Sequence, residues 1–110
     1  MPKQTTITIP LAQLAAGRMI ACNAGGREIM LCRTKYGLFA VDNVCSHAYA
    51  RLNEGRLRGV RVICPLHGAA FDVRTGAVLA APATRPIASF AVHADATHAT
   101  ITVPDAPGSV

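Results

Sequence analysis

Two short segments concentrate the residue types that bind iron and zinc: Cys45-Ser46-His47 and Cys64-Pro65-Leu66-His67, with 16 residues between them. A thiolate is a strong ligand for either metal, and a neutral imidazole suits both. Four such donors allow two kinds of centre. One is tetrahedral zinc held by a Cys2His2 set. The other is a [2Fe–2S] cluster in which two histidines replace two cysteines on one of the irons. Zinc fingers usually pair Cys with Cys and His with His along the chain, whereas here each segment joins a Cys to a His. That order favours the cluster, with Cys45, His47, Cys64 and His67 as ligands and each segment giving one ligand to each iron. A zinc-binding Cys2His2 module stays open as the alternative. Two ferric ions, two sulfides and two thiolates sum to zero charge, so one-electron reduction adds a single negative charge. Neutral imidazoles make that step easier than four thiolates would. The chemistry is therefore electron transfer.

The elements around these segments read as short strands separated by turns. Thr6 to Ile9 alternates with a period of two, Pro10 interrupts it, and Leu11 to Ala16 reads as a short turn. Arg18–Asn23 and Arg27–Thr34 flank Ala24-Gly25-Gly26, a hairpin signal. Lys35-Tyr36-Gly37 turns into a strand over Leu38–Asp42, and Gly59–Ile63 is expected to be another. Arg74-Thr75-Gly76 and Ala94-Asp95-Ala96-Thr97 mark two more hairpins. No helical periodicity persists, which predicts an all-β sandwich or barrel. The two Cys/His segments break the strand pattern and each follows a strand, as expected of functional loops on a rigid scaffold. The tail Pro104 to Val110 is expected to fray.

Composition excludes several classes. At 110 residues the chain is expected to form one domain. No apolar run approaches the roughly 20 residues of a membrane span. Met1-Pro2-Lys3-Gln4-Thr5 leads straight into a strand-like pattern, so no leader is expected and a soluble, cytoplasmic protein is. In that compartment Cys22 and Cys32, each inside an apolar stretch, read as buried small hydrophobes rather than a disulfide. Eleven Lys and Arg against six Asp and Glu make the chain basic. The charges are scattered, without interleaved aromatics to stack bases, so no nucleic-acid partner is expected. His93 and His98 flank the last hairpin turn and receive no role.

The segments Cys45-Ser46-His47 and Cys64-Pro65-Leu66-His67-Gly68, followed by Phe71-Asp72, Thr75-Gly76 and Pro82-Ala83-Thr84-Arg85-Pro86, resemble the Rieske ferredoxins of bacterial aromatic-ring-hydroxylating dioxygenase systems. The resemblance implies a Rieske fold: an antiparallel β-sandwich base over residues 1–110 with a small two-loop cluster-binding subdomain at about 43–70. It implies one Rieske-type [2Fe–2S] cluster and two partners, an NAD(P)H-dependent flavin reductase that supplies electrons and a terminal oxygenase that receives them. The chain would be the carrier and not an enzyme, because an oxygenase needs a further mononuclear iron domain. A small Rieske subunit of an assimilatory nitrite reductase, or a carrier for an oxygenase acting on a sterol-like or heterocyclic substrate, are the other readings. The resemblance also places the Pro82–Pro86 loop near the cluster.

Respiratory Rieske proteins carry an extra Cys in each loop, joined as a disulfide; the matching positions here are Ala50 and Leu66. Those proteins also direct a Ser and a Tyr hydroxyl at sulfur, where this chain has Ala69 and Phe71. With fewer hydrogen bonds to sulfur the reduced state is less stabilised, which implies a low-potential carrier. Ferredoxins of this kind are commonly acidic, and this chain is basic. Arg51, Arg56, Arg58, Arg61 and Arg74 lie in or beside the expected cluster end against Glu54 and Asp72; they read as an ordinary solvated surface or, alternatively, as a face that docks an acidic reductase or oxygenase.

Overall fold

The computed structural model describes residues 4–46 and 50–104. Among these residues ten strands, all in antiparallel pairs, build two sheets. The first six strands to be placed are β1 (Gln4–Pro10), β2 (Met19–Ala24), β3 (Arg27–Thr34), β4 (Gly37–Asp42), β5 (Arg56–Arg58) and β6 (Arg61–Ile63). They are followed by β7 (Ala70–Asp72), β8 (Val78–Ala80), β9 (Ser89–Ala94) and β10 (His98–Pro104). The larger sheet has the order β1-β10-β9-β4-β3-β2, and the smaller one β5-β6-β7-β8. Single 3-10 turns occur at Leu11–Gln13 and Leu52–Glu54. No described helix is long and apolar enough to cross a membrane.

The run Ile29-Met30-Leu31-Cys32 of β3 is fully buried on both faces. Alternation sends its side chains into two separate cores. Ile29 and Leu31 join Ile9, Leu14, Ala40 and Ile101. Met30 and Cys32 join Val41, Leu52, Val62, Phe71 and Val73, beneath the small sheet. This division answers the question of the two spare cysteines. Across the β2–β3 ladder Cys22 stands opposite Ile29, and Cys32 opposite Met19. The two are three residues out of register and face different cores. Burial pushes the Cys32 thiol up to about 12, which leaves it an inert packing group.

The all-β expectation holds, and so do the predicted hairpins. The strand expected at Gly59–Ile63 begins instead at Arg61, because Gly59 and Val60 form a two-residue turn joining Arg58 to Arg61. Gly59 sits at φ +62, the positive φ that the first position of a type II′ hairpin turn requires. Its partner β5 was not expected: Arg-Leu-Arg carries one apolar residue and shows no pattern of its own. The small sheet runs on through β7 and β8 to Ala80. The tail after Pro104 lies outside the described residues.

Candidate metal centre

The two Cys/His segments form loops with the same closure. Beyond β4, the Cys45 amide donates to the Ala50 carbonyl (3.0 Å), and Val44 bridges Arg51 just below. Beyond β6, the Cys64 amide donates to the Ala69 carbonyl (2.7 Å). In each case the cysteine amide bonds the carbonyl five positions later. In the second loop His67 at φ +63 and Gly68 at φ +76 turn the chain back. Holding a histidine there costs about 1–2 kcal/mol, strain of the kind stored at functional sites.

The first loop is anchored by Asn43, which is fully buried. Its side-chain amide donates to Asn53 Oδ1 (2.8 Å), and its Oδ1 accepts from the Asn53 amide (2.9 Å). Its backbone bonds Glu28 and Leu52, so one residue ties β3, the first loop and the 3-10 turn together. Arg51 pairs with both carboxylate oxygens of Glu28 on the outside. The second loop sits close on the chain at Gly55, where an added Cβ would lie 1.9 Å from the Ile63 carbonyl oxygen. Only glycine allows that approach.

These supports bring Cys45 and Cys64 together. Both are buried in one hydrophobic cluster with Leu52, Ala69, Phe71 and Ala83. Burial pushes the Cys64 thiol up, the Leu66 amide beside its sulfur pulls it down, and the neighbouring Cys45 thiol raises it again. Two adjacent buried thiols that form no disulfide fit the sulfur ligands of a cluster. His67 stands exposed on the same loop as Cys64. His47 lies outside the described residues, and among the described residues no set of three or more His, Cys, Asp and Glu gathers as a metal site.

The Pro82–Pro86 loop belongs to this end of the molecule. Ala83 is buried against the two cysteines' cluster. Ser46 Oγ donates to the Arg85 carbonyl, and Arg85 Nη2 donates back to the Ser46 carbonyl (3.3 Å). Asn43 and Gly55 carried no signal in the sequence beyond their nearness to the motifs, and Arg85 only as part of the Pro82–Pro86 segment. Of the basic residues singled out, Arg51 is paired with Glu28, and Arg74 with Asp72 at 2.8 Å. Among the described residues no ion pair involves Arg56, Arg58 or Arg61. His93 and His98 stand on β9 and β10; His98 Nδ1 is bonded to the Thr97 hydroxyl.

An antiparallel β scaffold that presents two matched loops, each with a buried cysteine, defines a small metal-cluster carrier. The Rieske [2Fe-2S] domain family matches residues 4–91. The ferredoxin component of a naphthalene 1,2-dioxygenase system from Pseudomonas putida is 36% identical over 84 residues, covering 76% of this chain and 81% of that protein. The ferredoxin of carbazole 1,9a-dioxygenase from Nocardioides aromaticivorans IC177 superposes with a TM-score of 0.81 at 35% identity, over 92% of this chain and 96% of that one. A ferredoxin solved in complex with the reduced oxygenase of carbazole 1,9a-dioxygenase gives 0.82 at 28% identity, over 87% and 91%. The chain belongs to the Rieske [2Fe-2S] domain family, and its cofactor is one Rieske-type [2Fe–2S] cluster. Zinc, left open by the ligand types alone, falls away.

Proposed function

We propose that this chain is a low-potential electron carrier of a ring-hydroxylating dioxygenase system, passing single electrons from an NAD(P)H-dependent flavin reductase to a terminal Rieske oxygenase. The observation that carries the reading is the pair of adjacent buried thiols, Cys45 and Cys64, at the mouths of two matched loops. Relatives of similar length named as ferredoxin components support the assignment. Cys45 and Cys64 would bind one iron, and His47 and His67 the other.

The cluster, when bound, takes up and releases one electron without bond rearrangement. The chain's residues set the conditions. Leu52, Ala69, Phe71 and Ala83 exclude water from the thiolates. The Leu66 amide stabilises charge on Cys64. Ala69 and Phe71 are wholly buried in the same cluster and offer no hydroxyl, which supports the low-potential reading. The Asn43 and Ser46–Arg85 bonds tie Asn43 and Ser46, on either side of Cys45, to their neighbours. His67 and Leu66 are exposed on the second loop, where a partner can touch them. A cytoplasmic setting, with its NAD(P)H, goes with this role.

The test is direct. Purified protein should contain about two irons and two acid-labile sulfides per chain. It should also restore NADH-driven turnover to a reductase and oxygenase that lack their ferredoxin. Stoichiometric zinc without sulfide from iron-replete cells would overturn the ligand assignment. An intact cluster that never oxidises the reductase would overturn the carrier role.

A further inference from the structure

β2 is an edge strand of the large sheet and β5 an edge strand of the small one. Between them opens a hollow of about 540 Å³, lined by Arg18, Met19, Asn53, Arg56, Leu57 and Arg58 together with two glycines. Gly55 and Arg56 also line a second hollow of about 440 Å³, bordered by Cys64 and Pro65. Gly17 and Leu57 also line a third of about 360 Å³ that reaches Lys35. These neighbouring hollows with shared lining residues form an interrupted trough from the second cysteine loop to the β3–β4 turn.

Its charge is one-sided. Arg18, Lys35, Arg56 and Arg58 line it, all exposed, and Glu54 at the cysteine end is the sole acid among its lining residues. None of the four cations takes part in an ion pair among the described residues. Met19 and Leu57 are half-buried and pack on the core beneath, giving the trough an apolar floor. Each wall strand also keeps one edge of backbone groups outside its own ladder. A lone phosphate would use the cations and leave the floor, the length and the edges unused.

We propose that the trough receives an extended acidic segment of a redox partner protein, laid along β5 with carboxylates against Arg18, Arg56 and Arg58 and apolar side chains on Met19 and Leu57. An extended segment can use strand edges and alternate side chains in this way. Seated there, it ends beside the Cys64 loop and so steers the partner to the site of electron exchange. The inference rests on the carrier reading for the identity of the partner; the acidic preference stands on the trough alone.

The test uses cluster-loaded protein and octaglutamate carrying an uncharged fluorophore, read by anisotropy at low ionic strength. Saturable binding is expected. Arg18→Gln and Arg58→Gln should each weaken it roughly two- to fivefold, the range for partly exposed ion pairs. Arg27→Gln, which removes the same charge outside the trough, should leave it unchanged, and visible absorption confirms an intact cluster in every variant. Octaglutamate should also slow electron delivery to the oxygenase of the same system, less so for the Arg18/Arg58 double variant. Equal weakening by Arg27→Gln means diffuse attraction to a basic protein and overturns the proposal. Displacement of octaglutamate by an equal concentration of inorganic phosphate makes the trough a small-anion site and overturns it too. Protein that passes electrons but ignores octaglutamate loses the trough and keeps the carrier role; protein that binds octaglutamate as expected but passes no electrons does the reverse.

Discussion

Restoring a missing hydroxyl beside the thiolates should raise the reduction potential. Ala69 and Phe71 are both 0% exposed and share a cluster with Cys45 and Cys64. Ala69 closes the Cys64 loop by accepting the Cys64 amide at 2.7 Å. A hydroxyl added there is shielded from water, and the thiolates of its own cluster are the acceptors the prediction tests. Phe71 lies on β7 opposite Val62, and its ring fills the floor under the loops. An O–H to sulfur strengthens when the cluster gains negative charge, so reduction becomes easier. If the bond favours the reduced state by ~1–2 kcal/mol, near the low end for a charged acceptor, the shift is roughly +40 to +90 mV, since 59 mV is tenfold for one electron. Ala69→Ser adds one atom and should be accommodated; Phe71→Tyr fills a tight site and overpacking can cost about 1–3 kcal/mol of stability. Voltammetry on both single variants and the double, with iron content as a control, reads the result. The two shifts share one cluster and should add incompletely. If neither variant rises above scatter with the cluster intact, the two side chains do not point at sulfur and the low-potential argument loses its basis.

Three further outcomes follow from the supports around the site. Asn43→Ala should destabilise the fold by about 1–3 kcal/mol, because it deletes two part-buried hydrogen bonds and takes the partner from the Asn53 backbone amide; denaturant unfolding measures this. Gly55→Ala should yield protein with little iron, since its Cβ would collide with the Ile63 carbonyl beside Cys64; iron and sulfide analysis against a folded control by circular dichroism checks it. Arg74, by hydrogen bonds first, holds the Asp72 carboxyl below its ordinary value of 3.8. A lowered folded value means the stabilisation is fully present above the ordinary value and disappears as pH falls through the folded one. The stability gap between wild type and Asp72→Asn should therefore be steady near neutrality and shrink below about pH 4, as linkage requires. A gap that grows on acidification would contradict the sign.

The ligand-type residues were legible in the sequence because their chemistry is local: a Cys and a His two or three positions apart need no tertiary contact to be noticed. The all-β class was equally legible, since turn residues and period-two patterns are written in neighbouring positions. The strand at Arg56–Arg58 was not, because three residues with one apolar side chain acquire their extended form only from pairing with Arg61–Ile63. Nor could the sequence say that Cys22 and Cys32 face different cores, which depends on ladder register. Nothing local marked Asn43 as the anchor of the first loop or Arg85 as its clamp, for their partners stand 10 and 39 residues away. The basic residues show the same division most clearly. Their number and neighbourhood were plain from the chain, but which of them are neutralised was decided by folding. Arg51 and Arg74 found carboxylates, while Arg18, next to β2, and Arg56 and Arg58 of β5 were gathered around one hollow with no ion pair among the described residues. Coulomb attraction acts on distance in space, and only the tertiary structure sets that distance.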